Sequence, residues 1–105
     1  MYNNGIEIAF DDAKDKANIA KHGISLAMAR AIDWGDVLCA PDTRRDYREL
    51  REIGFAPVAR RLYIVVFVQR SNTMRIISLR KANAREVKLY DDALQEPTAG
   101  DTDGG

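Results

Sequence analysis

The chain has 105 residues, 16 basic and 16 acidic, with 46% apolar and 30% charged side chains, 7 Gly and 3 Pro. That leaves room for one domain of ordinary size with the composition of a globular protein, and excludes multi-domain machinery, disordered chains and collagen-like repeats. The formal net charge of zero conceals a segregation: −3 over residues 1–43, +8 over residues 44–90 (ten Arg and two Lys against four acidic groups), and −5 over residues 91–105.

Ile6, Ile8 and Phe10 alternate with Glu7 and Ala9, which predicts a short strand with one buried face. Asp11 and Asp12 can cap a following helix whose apolar stripe is Ala13, Ala17 and Ala20, and which ends at His22-Gly23, where Gly supplies a left-handed residue. Ser25 can cap a second helix carrying Leu26, Ala29 and Ile32 to about Trp34, before Gly35. Val37 to Ala40, stopped by Pro41, is expected to be a brief strand, and Asp42 to Tyr47 an Arg-rich loop.

The period then changes. Arg51 to Ala56 reads as a strand, Pro57 to Arg60 as a turn, and Leu62 to Val68 as a central strand covered on both faces. Ser71-Asn72 turn the chain into Met74 to Leu79, and Asn83 with Glu86 has the spacing of a capping box for a last helix with Val87, Tyr90 and Leu94 on one stripe. The order is strand, two helices, four strands, helix: an α+β domain over residues 1–96 with an antiparallel sheet, two N-terminal helices and one C-terminal helix, then an acidic, flexible tail over 97–105.

Cys39 alone cannot form an internal disulfide or a multi-cysteine metal site, and the lone His22 argues against a histidine-based one, so no metal and no cofactor is expected. No apolar run reaches the roughly 20 residues that span a bilayer and no secretory pattern opens the chain, so the expected location is the cytoplasm, away from membranes. The Arg-rich block suits an anionic partner such as nucleic acid, because guanidinium presents planar, bidentate donors to phosphate. The bland alternative is a solvated surface that pairs with the acidic helices.

Three segments resemble one family. Phe10-Asp11-x-x-Lys14-x-x-x-Asn18-x-x-Lys21-His22-Gly23-Ile24-Ser25, then Arg44-Arg45-Asp46-Tyr47 with Glu49-x-Arg51, then Arg75-Ile76-Ile77-Ser78-x-Arg80-Lys81-Ala82-Asn83-x-Arg85-Glu86 followed by Tyr90, are similar to the BrnT toxins, ribonuclease partners of BrnA antitoxins in type II toxin–antitoxin operons. The chain departs from that pattern at Arg48, Ala56 and Arg60, at or near positions where many relatives carry Gly. The resemblance implies a RelE/ParE-like fold, metal-independent endoribonuclease activity that inhibits translation, and a ribbon-helix-helix antitoxin of BrnA type, whose complex with the toxin binds operator DNA through the antitoxin.

Cleaving RNA without a metal requires activating a 2′-hydroxyl, stabilising charge on pentacoordinate phosphorus, and protonating the leaving 5′-oxygen. For the charge, the candidates are Arg61 at the start of the central strand and Arg80 and Lys81 at the end of the last; Arg51, Arg75, Arg44, Arg45 and Arg85 are expected to bind RNA. Regular alternation places Arg75 and Lys81 on one strand face and Arg80 on the other. For proton transfer the sequence offers Glu49, Tyr90, Lys81 and His22. Glu49 also reads as a structural partner of Arg51, Tyr90 as a packed residue and His22 as a helix-end residue. Cys39, Met28 and Trp34 read as buried. Three functions compete: an RNase toxin acting on free or ribosome-bound RNA, a non-catalytic module binding RNA, ribosome or DNA, and a degenerate toxin retained for antitoxin binding.

Overall fold

The computed structural model describes residues 5–44, 46 and 48–95. The expected tail over 97–105 lies outside the described residues. The elements follow the predicted order: β1 (Glu7–Ala9), α1 (Asp12–His22), 3₁₀ turns at Leu26–Ala31 and Trp34–Asp36, β2 (Leu38–Pro41), β3 (Glu52–Val58), β4 (Arg61–Arg70), β5 (Thr73–Lys81) and α2 (Ala84–Gln95). They form one five-stranded sheet in the order β1-β5-β4-β3-β2. Among the described residues, no helix is long and apolar enough to cross a membrane.

The sheet corrects one expectation. β2 to β5 form an antiparallel meander, but β1 pairs with β5 in parallel, Glu7 opposite Thr73 and Ala9 opposite Arg75, so the sheet is mixed. The predicted second helix is 3₁₀, with the N–H groups of Met28 and Ile32 bonding the carbonyls of Ser25 and Ala29. Its apolar residues Leu26, Ala29 and Ile32 recur every three positions, which suits three residues per turn better than 3.6. Ser25 caps it as expected, and the Asp15 carboxylate accepts from the Ser25 hydroxyl at 2.9 Å and from the Leu26 N–H at 2.7 Å.

Leu26, Ala29, Ile32 and Trp34 pack on one sheet face against Val65, Phe67, Ile76 and Leu79. Trp34 meets Phe67 edge-on, with ring centroids 4.9 Å apart. Each large side chain buried there contributes about 1.5–3 kcal/mol. Helix α1 does not bury its alanine stripe: Ala13, Ala17 and Ala20 are exposed, and its one buried residue is Asn18. The Asn18 amide donates to the carbonyls of Leu79 and Ile24, both at 2.8 Å, and accepts from the Leu79 N–H at 3.2 Å. It thereby occupies the β5 edge beyond the end of β1, with its donors and acceptor all used.

A β-bulge interrupts the β4–β5 ladder between Val66 and Phe67. Ser78 opposes Val66 and Ile76 opposes Phe67, so Ile77 is the extra residue. The β3–β4 hairpin turns through Ala59 and Arg60, both left-handed at φ 49° and 68°, the signature of a type I′ turn. Helix α2 lies on the sheet face opposite the main core and buries no residue; its Tyr90 ring rests 5.6 Å from that of Phe55. Cys39 is exposed on the edge strand rather than buried, because β2 has no neighbour on its outer side.

Candidate active site

The bulge decides which basic side chains share a face. Leu79 and Ile76 both point into the core although they are three residues apart, so the extra residue reverses the alternation between them. Arg75 and Arg80 therefore emerge on the same face, opposite Val68 and Ile64, where a regular strand would separate them.

Of the proposed catalytic residues, Arg61, Lys81 and Tyr90 come together. Arg61 opens β4 beside the type I′ turn, Lys81 ends β5 opposite Tyr63, and Tyr90 stands in α2, braced by Phe55. With Arg60, Leu62 and Val87 they line a cavity of about 400 Å³ at the hairpin end of the sheet. Arg60 is brought there by the turn geometry.

Arg80, although next to Lys81 in sequence, reaches elsewhere. Its guanidinium donates two bonds of 2.8 Å to the Glu86 carboxylate. Glu86 accepts at the same time from the Asn83 N–H and donates its own N–H to Asn83 Oδ1, both at 2.8 Å, which completes the expected capping box. Glu49 stands at the opposite end of the β3–β4 ladder. It accepts from Arg51 Nε at 3.1 Å, and Arg70 lies 3.9 Å away. Arg44 makes a two-point pair with the buried Asp42, both bonds 2.7 Å. Arg75 and Arg85 are exposed, and Arg45 lies outside the described residues.

A second cleft, of about 330 Å³, opens between α1 and β5. Lys14, Asn18, Lys21 and His22 line one wall; Ser78 and Arg80 line the other, and Arg44 reaches in from the β2–β3 loop. Successive steps of four, three and one residues place these four α1 side chains on one helical face. Asn18, bonded to Leu79, sets that face against the strand. Partial burial, followed by the charges of Lys21 and Arg80, pushes the His22 imidazole below its usual 6.5 and favours its neutral form. Lys14 and Lys21 are the residues that sequence reasoning left without a role; the signal was the helical spacing.

A family model described as "Ribonuclease toxin, BrnT, of type II toxin-antitoxin system" matches residues 10–86. No curated protein shows significant similarity to the chain. Among solved structures, the crystal structure of the Brucella abortus ribonuclease toxin BrnT is similar at a TM-score of 0.58 and 23% identity, covering 74% of this chain and 97% of that one. This likeness carries the fold.

Proposed function

The chain belongs to the BrnT family of type II toxin–antitoxin ribonuclease toxins, and from that premise we propose that it is a metal-independent endoribonuclease of RelE/ParE type that stops translation by cutting RNA. The observation that carries this reading is the convergence of Arg60, Arg61, Lys81 and Tyr90 around one cavity. A scissile phosphodiester seated there has cationic donors on its non-bridging oxygens from Arg61 and Lys81 and a phenol for proton transfer from Tyr90. The 2′-hydroxyl passes its proton to solvent water as its oxygen attacks phosphorus, the P–O5′ bond breaks, and the 5′-oxygen takes the Tyr90 phenol proton, which solvent then restores, leaving a cyclic phosphate and a 5′-hydroxyl. Donors fixed before the reaction stabilise the charge that develops on phosphorus.

In this reading Arg80 adds positive potential from the side, held by Glu86, and Glu49 is a structural partner of Arg51 and Arg70. A second reading, a non-catalytic RNA-binding or antitoxin-binding module, draws on the engagement of the whole Arg80 fork by Glu86. Family membership implies an antitoxin partner. We assign it as a BrnA-like ribbon-helix-helix protein that covers part of the basic face and carries the operator-DNA contact.

The test is cleavage of end-labelled RNA in EDTA, with and without ribosomes, followed by 3′-end analysis. Cyclic phosphate ends are expected. A strict need for Mg²⁺, or free 3′-hydroxyl products, would exclude 2′-hydroxyl attack; an inert protein that still binds RNA would leave the binding module. Co-expression with the adjacent gene product and size-exclusion chromatography tests the partner, and separate elution would count against it.

A further inference from the structure

The cleft between α1 and β5 is not needed by the chemistry just described, yet it is built of cations. Among the described residues, no carboxylate lines it, and neither Lys14 nor Lys21 has an ion-pair partner. Exposed lysines usually neutralise a nearby acid or point apart; here both stand on the α1 face that Asn18 locks to Leu79, three and four residues on either side of the anchor. Ser78 adds a hydroxyl from the facing strand, and regular alternation beyond the bulge puts Ser78 and Arg80 on the same side. Arg80 follows Ser78 by one strand repeat, and Lys81 of the hairpin-end cavity is the next residue of β5.

We propose that this cleft is a phosphate-binding subsite that holds a backbone phosphodiester of single-stranded RNA, other than the scissile one, between Lys14 and Lys21 of α1 and Ser78 of β5. The assignment rests on the ribonuclease reading for the identity of the polymer; the site itself rests on geometry. Ammonium groups and a hydroxyl recognise a phosphate oxygen without reading a base, so the subsite contributes affinity and register, not sequence preference. Its contribution is electrostatic and therefore sensitive to salt. The charged groups facing His22 are Lys14 and Lys21 on its own helix, Arg80 on β5 and Arg44 on the loop. An anion seated among them offsets the cations that disfavour imidazolium, so binding and protonation of His22 reinforce each other.

The probe is a 2′-O-methyl RNA oligonucleotide, which binds but lacks the attacking hydroxyl, followed by fluorescence anisotropy over a salt series. Lys14→Ala with Lys21→Ala should weaken binding roughly tenfold or more and lower the slope of log K against log salt by about 0.7 for the lost phosphate. With cleavable RNA, KM should rise and kcat stay level. His22 is the chain's sole histidine, so its NMR signal reports the cleft directly, and its pKa should rise on addition of the oligonucleotide in Arg61→Ala as well as in the wild type. That arm keeps the subsite testable if cleavage itself is absent. An unchanged salt slope in the lysine variant, with an unmoved His22 titration, would overturn the subsite, as would loss of kcat at constant KM. Thermal unfolding of the lysine variant, matched to wild type because both side chains are exposed, guards against misfolding.

Discussion

Arg80 and Glu86 are joined at two points, each 2.8 Å, and the Glu86 oxygen that meets Arg80 Nη1 also accepts the Asn83 N–H. One carboxylate therefore ties the end of β5 to the first turn of α2, a helix that buries none of its own residues. The Arg80 bonds, with help from Asn83 and against the opposing effect of burial, pull the Glu86 carboxyl from its ordinary 4.5 to about 2.

Because the folded pKa lies below the unfolded one, the stabilisation is present above about pH 4.5 and is lost as pH falls toward 2. Glu86→Gln keeps a capping acceptor and loses the charge. It should cost about 1–2 kcal/mol at pH 7, allowing for solvent screening of a partly exposed pair. In urea melts the gap to wild type should close between pH 4.5 and 2; a gap constant across that range would show that the pair contributes nothing through its charge.

Asn18 is the point at which α1 is fastened. Asn18→Ala leaves the Leu79 N–H and the carbonyls of Leu79 and Ile24 unpaired, at a cost of about 2–4 kcal/mol. Asn18→Asp sets a carboxylate against those same carbonyls and should cost more. Amide exchange at Leu79 is the local readout. Unaltered protection there in the alanine variant would mean that another group takes over the strand edge.

Arg48 sits at φ 61°, in the left-handed region that a side chain disfavours. Its N–H donates to Asp46 Oδ1 through the backbone, a bond that any residue can make. Arg48→Gly should therefore raise stability by about 0.5–1 kcal/mol, after the entropy that glycine gains in the unfolded chain. Lower stability in the glycine variant would indicate that the Arg48 side chain makes a compensating contact.

Glu49 and Arg61 should part company in kinetics. Arg61→Ala is expected to lower kcat and kcat/KM together by about 10²–10³-fold, as for other lost electrostatic donors. Glu49→Gln, far from that cavity and tied to Arg51 and Arg70, should leave both constants level and lower the unfolding midpoint instead. A large drop in kcat for Glu49→Gln would restore the carboxylate as the base.

What could be read from the sequence was local. The Asp11 and Ser25 caps, the left-handed Gly23, the Asn83–Glu86 box and the apolar run of β4 each depend on residues within a few positions of one another, and all stand in the structure. The parallel pairing of β1 was hidden because it is settled by a partner more than 60 residues away. The bulge at Ile77 carries no glycine or proline to mark it, and it alone puts Arg75 on the same face as Arg80. Arg61, Lys81 and Tyr90 could be named from sequence only as part of a wider set with Arg80 and Glu49; the α1–β5 cleft could not be named at all, since α1 looks like an alanine-striped helix until Asn18 is seen to be the buried residue.

Asn18 and Leu79 are 61 positions apart, and Gly5 is fastened to Asn72 across 67. Synthesis delivers the N-terminal segment first, and the β3–β4–β5 meander that it packs against closes later through short turns. A growing chain thus displays α1 with its lysines but has no opposing strand for it until β5 emerges. The proposed phosphate subsite is therefore assembled only once β5 has been made and has paired with α1, and α1 alone offers lysines without the facing Ser78.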